Sequence, residues 1–192
     1  MKKIISTLVL ICLCNPAFSA PILPIEFEGQ PQILFKDLNT DACGVRFLGA
    51  QSPEIFDKSA KVFIPDASFM IYRQGVGMVK AVLLETTMGG MIKESKIMTF
   101  KTFWMKANNH PQTAPTSGMA VDGENKGSKI YISSLDSVLS VLVGLMSGEK
   151  IKLGYVFEDE AKNLIVSGKV TLSDSERQEV MNCLEELKVL GK

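Results

Sequence analysis

The sequence predicts an α+β fold: a mainly antiparallel β-sheet in the N-terminal part, then a C-terminal β-α-β-β-α part with its helices packed on one face. Three observations predict it. Between residues 22 and 107, short apolar runs rich in aromatic and β-branched residues are separated by Gly and Pro. Two later segments carry apolar residues at helical spacing behind serine caps. Between those segments, Ile151, Leu153, Tyr155 and Phe157, then Leu164, Val166, Val170 and Leu172, mark two alternating strands.

Residues 1–19 read as an export signal. Lys2 and Lys3 precede the apolar run Ile4–Leu13, Pro16 ends it, and Ala17-Phe18-Ser19 supplies small residues for cleavage after Ser19, or after Ala20. A run of about ten residues is too short to span a bilayer of roughly 30 Å. Cys12 and Cys14 follow Ile11 and Leu13, not the small residue a lipoprotein needs.

In the strand-rich part, 20–107, Ile25–Phe27, Ile33–Phe35 and Gly44–Leu48 are short extended candidates, and Pro65 stops Val62–Ile64. Ser68–Arg73 and Val76–Thr87 flank Gln74-Gly75, a hairpin turn. Met88-Gly89-Gly90-Met91 breaks the run, and Lys96–Lys106, KIMTFKTFWMK, reads as one more strand. Residues 107–118, ANNHPQTAPTSG, read as a loop, either a linker (108–118) or a long exposed excursion.

In the α+β part, 119–192, a strand at Lys129–Ile132 leads to Ser133 or Ser134, which caps a helix running to about Met146 and stopped by Gly148. Glu158–Asn163 is a polar hairpin loop. In the last segment, SDSERQEVMNCLEELKVLGK, Ser173 and Glu176 form a capping box, and Val180, Cys183, Leu184 and Leu187 share the apolar face. The two parts are expected to form one compact unit. The strand, strand, helix order from Gly148 to Leu187 resembles that of small exported invasion-associated bacterial proteins. The likeness is a pattern of apolar positions without their cysteine arrangement, and it implies no residue roles.

Removing Lys2 and Lys3 from 21 basic residues leaves 19 against 21 acidic ones. That balance gives no electrostatic case for nucleic acid or an anionic membrane, and no later apolar run implies membrane insertion. Cys43 and Cys183 are the cysteines that remain, and the bacterial periplasm is oxidising. A redox pair is usually close in sequence and a zinc site takes about four ligands. With Cys183 on a buried helix face, a Cys43–Cys183 disulfide is expected.

No catalytic residue, metal site or cofactor is expected. His110 is the only histidine and sits before Pro111 in the loop, without a nucleophile elbow. Glu158, Asp159 and Glu160 read as solvated turn charges, and Gly75-Val76-Gly77 lacks the rest of a phosphate loop. Met88 and Met91 at the Gly-Gly turn, with Met70, Met78, Met98, Met105 and Met119 nearby, suit a core or an adaptable binding surface. Phe100, Thr102 and Trp104 would share one strand face, with Phe103 and Met105 on the other. A possible interaction surface therefore comprises Met88, Met91, Trp104 and His110. The expected function is that of an exported, periplasmic or secreted, binding or accessory protein without catalysis, whose partner is another envelope protein. An inhibitor inserting loops 88–95 and 107–118 into an envelope enzyme, and a carboxylate hydrolase, are the alternatives.

Overall fold

The computed structural model describes residues 20–50, 61–89, 91–116, 118, 120–124 and 126–188, with side chains from 87 to 94 outside that description; the expected export signal therefore lies outside it. Among the described residues, eleven strands form one sheet. They are β1 (Ile22–Pro24), β2 (Glu26–Lys36), β3 (Asn39–Ala50), β4 (Lys61–Tyr72), β5 (Gly77–Gly89), β6 (Met91–Ile97), β7 (Thr102–Ala107), β8 (Val121–Asp122), β9 (Lys129–Ser133), β10 (Lys150–Val156) and β11 (Leu164–Thr171). Helix α1 is Leu135–Met146 and α2 is Asp174–Leu187. The spatial order is β7-β10-β11-β2-β3-β4-β5-β9-β8, with β1 on β11 and β6 on β5. Pairing is antiparallel except where β11 lies parallel to β1 and to β2. Strands of the two parts thus interleave in a single sheet.

The long strands follow from alternation of inward and outward residues across their shared rows. Val45, Phe69, Val79 and Tyr131 lie side by side across β3, β4, β5 and β9, and Phe47, Ala67 and Ala81 form the next row. All point into the core. Both helices bury their apolar stripes against this same face: Val138, Val141, Leu142 and Leu145 from α1, and Val180, Cys183, Leu184 and Leu187 from α2. Ser134 caps α1 by accepting from the Ser137 amide, and Ser173 and Glu176 complete the capping box of α2. Arg177 of α2 donates to the Met146 carbonyl at 2.9 Å, so it ties α2 to the C-terminal end of α1, where carbonyls lack helical partners.

One strand was expected at Lys96–Lys106; the chain instead breaks between β6 and β7. Met98 N–H bonds the Leu83 carbonyl and Lys101 N–H bonds the Val156 carbonyl, so this stretch crosses from β5 to β10. Phe100 lies in the crossing and packs edge-on against Phe103, Tyr155 and Phe157. It does not share a face with Trp104, because the strand period begins only at Thr102.

Segment 108–116 is irregular, yet it closes the curled sheet. The Thr113 amide donates to the Met105 carbonyl on β7, and the Met105 amide donates to Thr113 Oγ1. On the other side, Thr116 N–H bonds the Ile132 carbonyl of β9 and Pro115 bridges Ser133. Tyr131 spans the gap, its hydroxyl 2.8 Å from Thr113 Oγ1 and donating to the Phe103 carbonyl at 3.0 Å. Thr113 is fully buried, which explains why a polar stretch with little to bury is nonetheless ordered by its hydrogen bonds.

The seam has a pH signature. Burial pushes the Tyr131 hydroxyl up to about 12 from an ordinary 10.0, opposed in part by its hydrogen bond to Thr113. Tyr155, wholly buried, is also raised, by burial and then by Asp66. A phenol that holds its proton more tightly when folded contributes its full stability below about pH 10 and loses it as pH rises beyond. Each tyrosine should therefore cost about 1.4 kcal/mol per pH unit above that point. Urea midpoints at about pH 8 and about pH 11 check this. Tyr131→Phe should shrink the pH effect while lowering baseline stability by about 1–3 kcal/mol, since the Phe103 carbonyl loses its donor.

Candidate functional site

The outward face of β2–β5 and β9 carries rows that alternate with the core rows. The first is Leu34, Ala42 and Tyr72; the second Gln32, Gly44, Met70, Met78 and Ile132; the third Gln30, Arg46, Ser68, Lys80 and Ile130. A groove of about 590 Å³ opens along these rows, lined by Gln32, Leu34, Arg46, Met70 and Met78. Beside the groove, an added Cβ at Gly44 would lie 1.9 Å from the Phe69 carbonyl oxygen and 2.7 Å from Met70 Sδ. With no side chain there, β3 and β4 approach closely and Met70 forms the floor.

The groove is apolar at its centre and polar on one side. Met70, Met78 and Leu34 supply flexible, polarizable or aliphatic surface. Arg46 crosses to Asp66 with a two-point bond, Nε to Oδ1 at 2.9 Å and Nη2 to Oδ2 at 2.6 Å. That hydrogen bond, with the attraction behind it, raises the Arg46 guanidinium above its ordinary value. Lys80 and the amides of Gln30 and Gln32 complete the rim. Such a surface can bind an apolar chain segment and fix its direction through polar contacts; its one acidic lining residue, Asp66, is already engaged by Arg46.

Cys43 and Cys183 form the expected disulfide, their Cα atoms 5.9 Å apart and 140 residues apart in sequence. It fastens β3 to α2 beneath the groove's strands. Of the expected interaction residues, Met88 and Met91 lie near the β5–β6 turn, in backbone register with Ile92 and Gly89 respectively; their side chains lie outside the described residues. Trp104 points outward from β7, half-buried, its indole so close over Gly154 that a Cβ there would sit 2.1 Å from Cε2. It belongs to a different row, with Gly154, Ile165 and Ile22.

His110 Nε2 lies 3.4 Å from Glu149 Oε1, pinning the closing segment to the turn after α1. These residues are not brought together with the groove. Asp159 caps a short 3-10 turn, where its bond to Lys162 and then the Ala161 amide hold its carboxyl below the ordinary value. Among the described residues, no group of three or more His, Cys, Asp or Glu could hold a metal ion.

Gly44, Arg46, Asp66, Ser68, Tyr72 and Lys80 escaped the sequence reading, and Met70 and Met78 figured only as neighbours of the Gly-Gly turn. The available signal was alternation: once Phe69, Ile71 and Val79 are assigned inward, Met70, Tyr72 and Met78 must face outward. No family model, curated protein or solved structure matches the chain.

Proposed function

We propose that the chain is an exported binding or accessory protein of the bacterial periplasm, without catalysis of its own, and that its groove holds an apolar segment of another envelope protein. The observation that carries this is the outward groove, apolar along Met70, Met78 and Leu34 and polar along Arg46, Gln30 and Lys80. A mixed surface of this kind suits recognition, with buried apolar contact for affinity and rim polarity for register. The disulfide agrees with an oxidising compartment, and no described helix is long and apolar enough to cross a membrane. The inhibitor alternative would use 107–118 as an inserting element, but Thr113 and Thr116 are engaged in the seam.

Ser68 points outward between Arg46 and Lys80, so Ser68→Trp should fill the groove without touching the core. The expected outcome is an unchanged melting temperature and loss of the stoichiometric partner recovered by periplasmic crosslinking with the native chain. Equal recovery with the tryptophan in place would remove the groove from consideration, and recovery of the folded chain only from the cytoplasm would remove the envelope role.

A further inference from the structure

The β2–β3 hairpin turns through Asp37 and Leu38, with φ of 50° and 63°. Two-residue turns of this hand favour Asn-Gly because both positions need positive φ. A leucine there is strained, and this one is 99% exposed. Phe35, 68% exposed, and Leu34, 46% exposed, stand beside it. The mount behind the tip is rigid. Arg73 Nε donates to the Thr40 carbonyl at 3.0 Å, the Thr40 hydroxyl donates to the Glu186 carboxylate, and the disulfide holds Cys43 to α2. Strain, apolar exposure and rigid support together describe a preformed contact element.

The adjoining surface states what that element can meet. A cleft of about 190 Å³ lies between the hairpin and α2, lined by Ile33, Phe35, Thr40, Glu179, Asn182 and Glu186. Glu179, Glu185 and Glu186 are exposed along α2, and none forms an ion pair among the described residues. On the α2 side of the tip, carboxylates without an ion-pair partner complement lysine or arginine set among apolar residues, while Lys36 and Arg73 stand by the turn itself.

We propose that the hairpin tip and the acidic face of α2 form a second docking site, for a basic, apolar-faced segment of a partner protein. One large apolar side chain rests on Phe35 and Leu38 while a lysine or arginine meets Glu179 and Glu186. The site adjoins the groove at Ile33 and Leu34, but Phe35, Leu38, Glu179 and Glu186 do not line the groove, so it stands whether or not the groove binds.

A fluorescein-labelled peptide of alternating leucine and arginine, followed by anisotropy against the native chain, tests it. Binding should be saturable, weaken as salt rises to about 0.5 M, and fall about tenfold with Glu179→Lys or Phe35→Ser. Leu38→Gly should also weaken binding yet raise the melting temperature, because glycine relieves the turn; damage to the fold would lower both. Ser68→Trp should leave this peptide's affinity unchanged. Equal binding of the leucine–glutamate counterpart, an unaltered affinity in Leu38→Gly and Phe35→Ser, loss of binding in Ser68→Trp, or binding of phosphatidylglycerol vesicles in place of the peptide would each overturn the assignment.

Discussion

Cys43→Ser combined with Cys183→Ser should lower the melting temperature by about 10–20 °C, the largest effect expected of any side-chain change in this chain. The cross-link closes a span of 140 residues. Chain entropy for a loop of that size amounts to about 5 kcal/mol of denatured-state restriction, and a domain of this length loses about 2–4 °C per kcal/mol. Position adds to length. Cys43 lies in the core row next to Ile71, and Cys183 lies on the buried stripe of α2. The bond therefore fixes α2 against β3 and, through Arg177, holds the end of α1. Calorimetry of the native chain, purified with the disulfide formed, and of the double-serine chain checks the figure; a change of under a few degrees would mean that packing alone sets α2.

Gly44→Val should destabilise by about 3 kcal/mol or more, a cost set by backbone rather than by side-chain crowding. Its Cβ would sit 1.9 Å from the Phe69 carbonyl oxygen, and a main-chain atom in a central strand cannot swing aside as a side-chain end can. The β3–β4 ladder would have to part, with Phe69 and Val45 of the core row behind it. The same change would displace Met70, which lines the groove. Gly75→Ala offers a contrast: its φ of 76° strains an alanine, but the turn is open, with Leu135 Cδ2 the nearest atom at 3.9 Å. Chemical denaturation of the two variants should give a markedly larger loss for Gly44→Val; equal losses would mean that the close approach of β3 and β4 is soft.

Local signals in the sequence carried much of the architecture. Caps and helical spacing mark both helices to within a residue or so of Leu135–Met146 and Asp174–Leu187. The Gln74-Gly75 turn is a hairpin, with Gly75 at positive φ. The Cys43–Cys183 bond was legible from the expected export and from the place of Cys183 on the apolar face of α2. What stayed hidden is non-local. Nothing in residues 108–116 announces that Thr113 and Thr116 will complete the hydrogen bonding of β7 and β9, because that role exists only once the sheet has curled. Phe100 looked like part of a strand because aromatic residues suit strands, but tertiary packing with Phe103, Tyr155 and Phe157 draws it into the core.

The groove was the hardest feature to read. Met88, Met91 and Trp104 stand out by composition, whereas Met70 and Met78 matter because cross-strand register sets them side by side next to a glycine. Met70 and Met78 pair across the legible Gln74-Gly75 hairpin, but Gly44 and Gln32 join their row only through the β2–β3 and β3–β4 registers, which have no local signature. The hairpin tip is an intermediate case: Asp37-Leu38 lacks the glycine such turns favour, so no turn was legible there.

The most direct test is photo-crosslinking in cells from a benzophenone amino acid placed at Met78, inside the groove, and separately at Lys106, on the outward face of β7 away from it. An adduct to one envelope protein should form from position 78 and not from position 106, and it should vanish when Ser68→Trp is added. An equal adduct from both positions, or one from position 106 alone, would contradict the groove as the binding site.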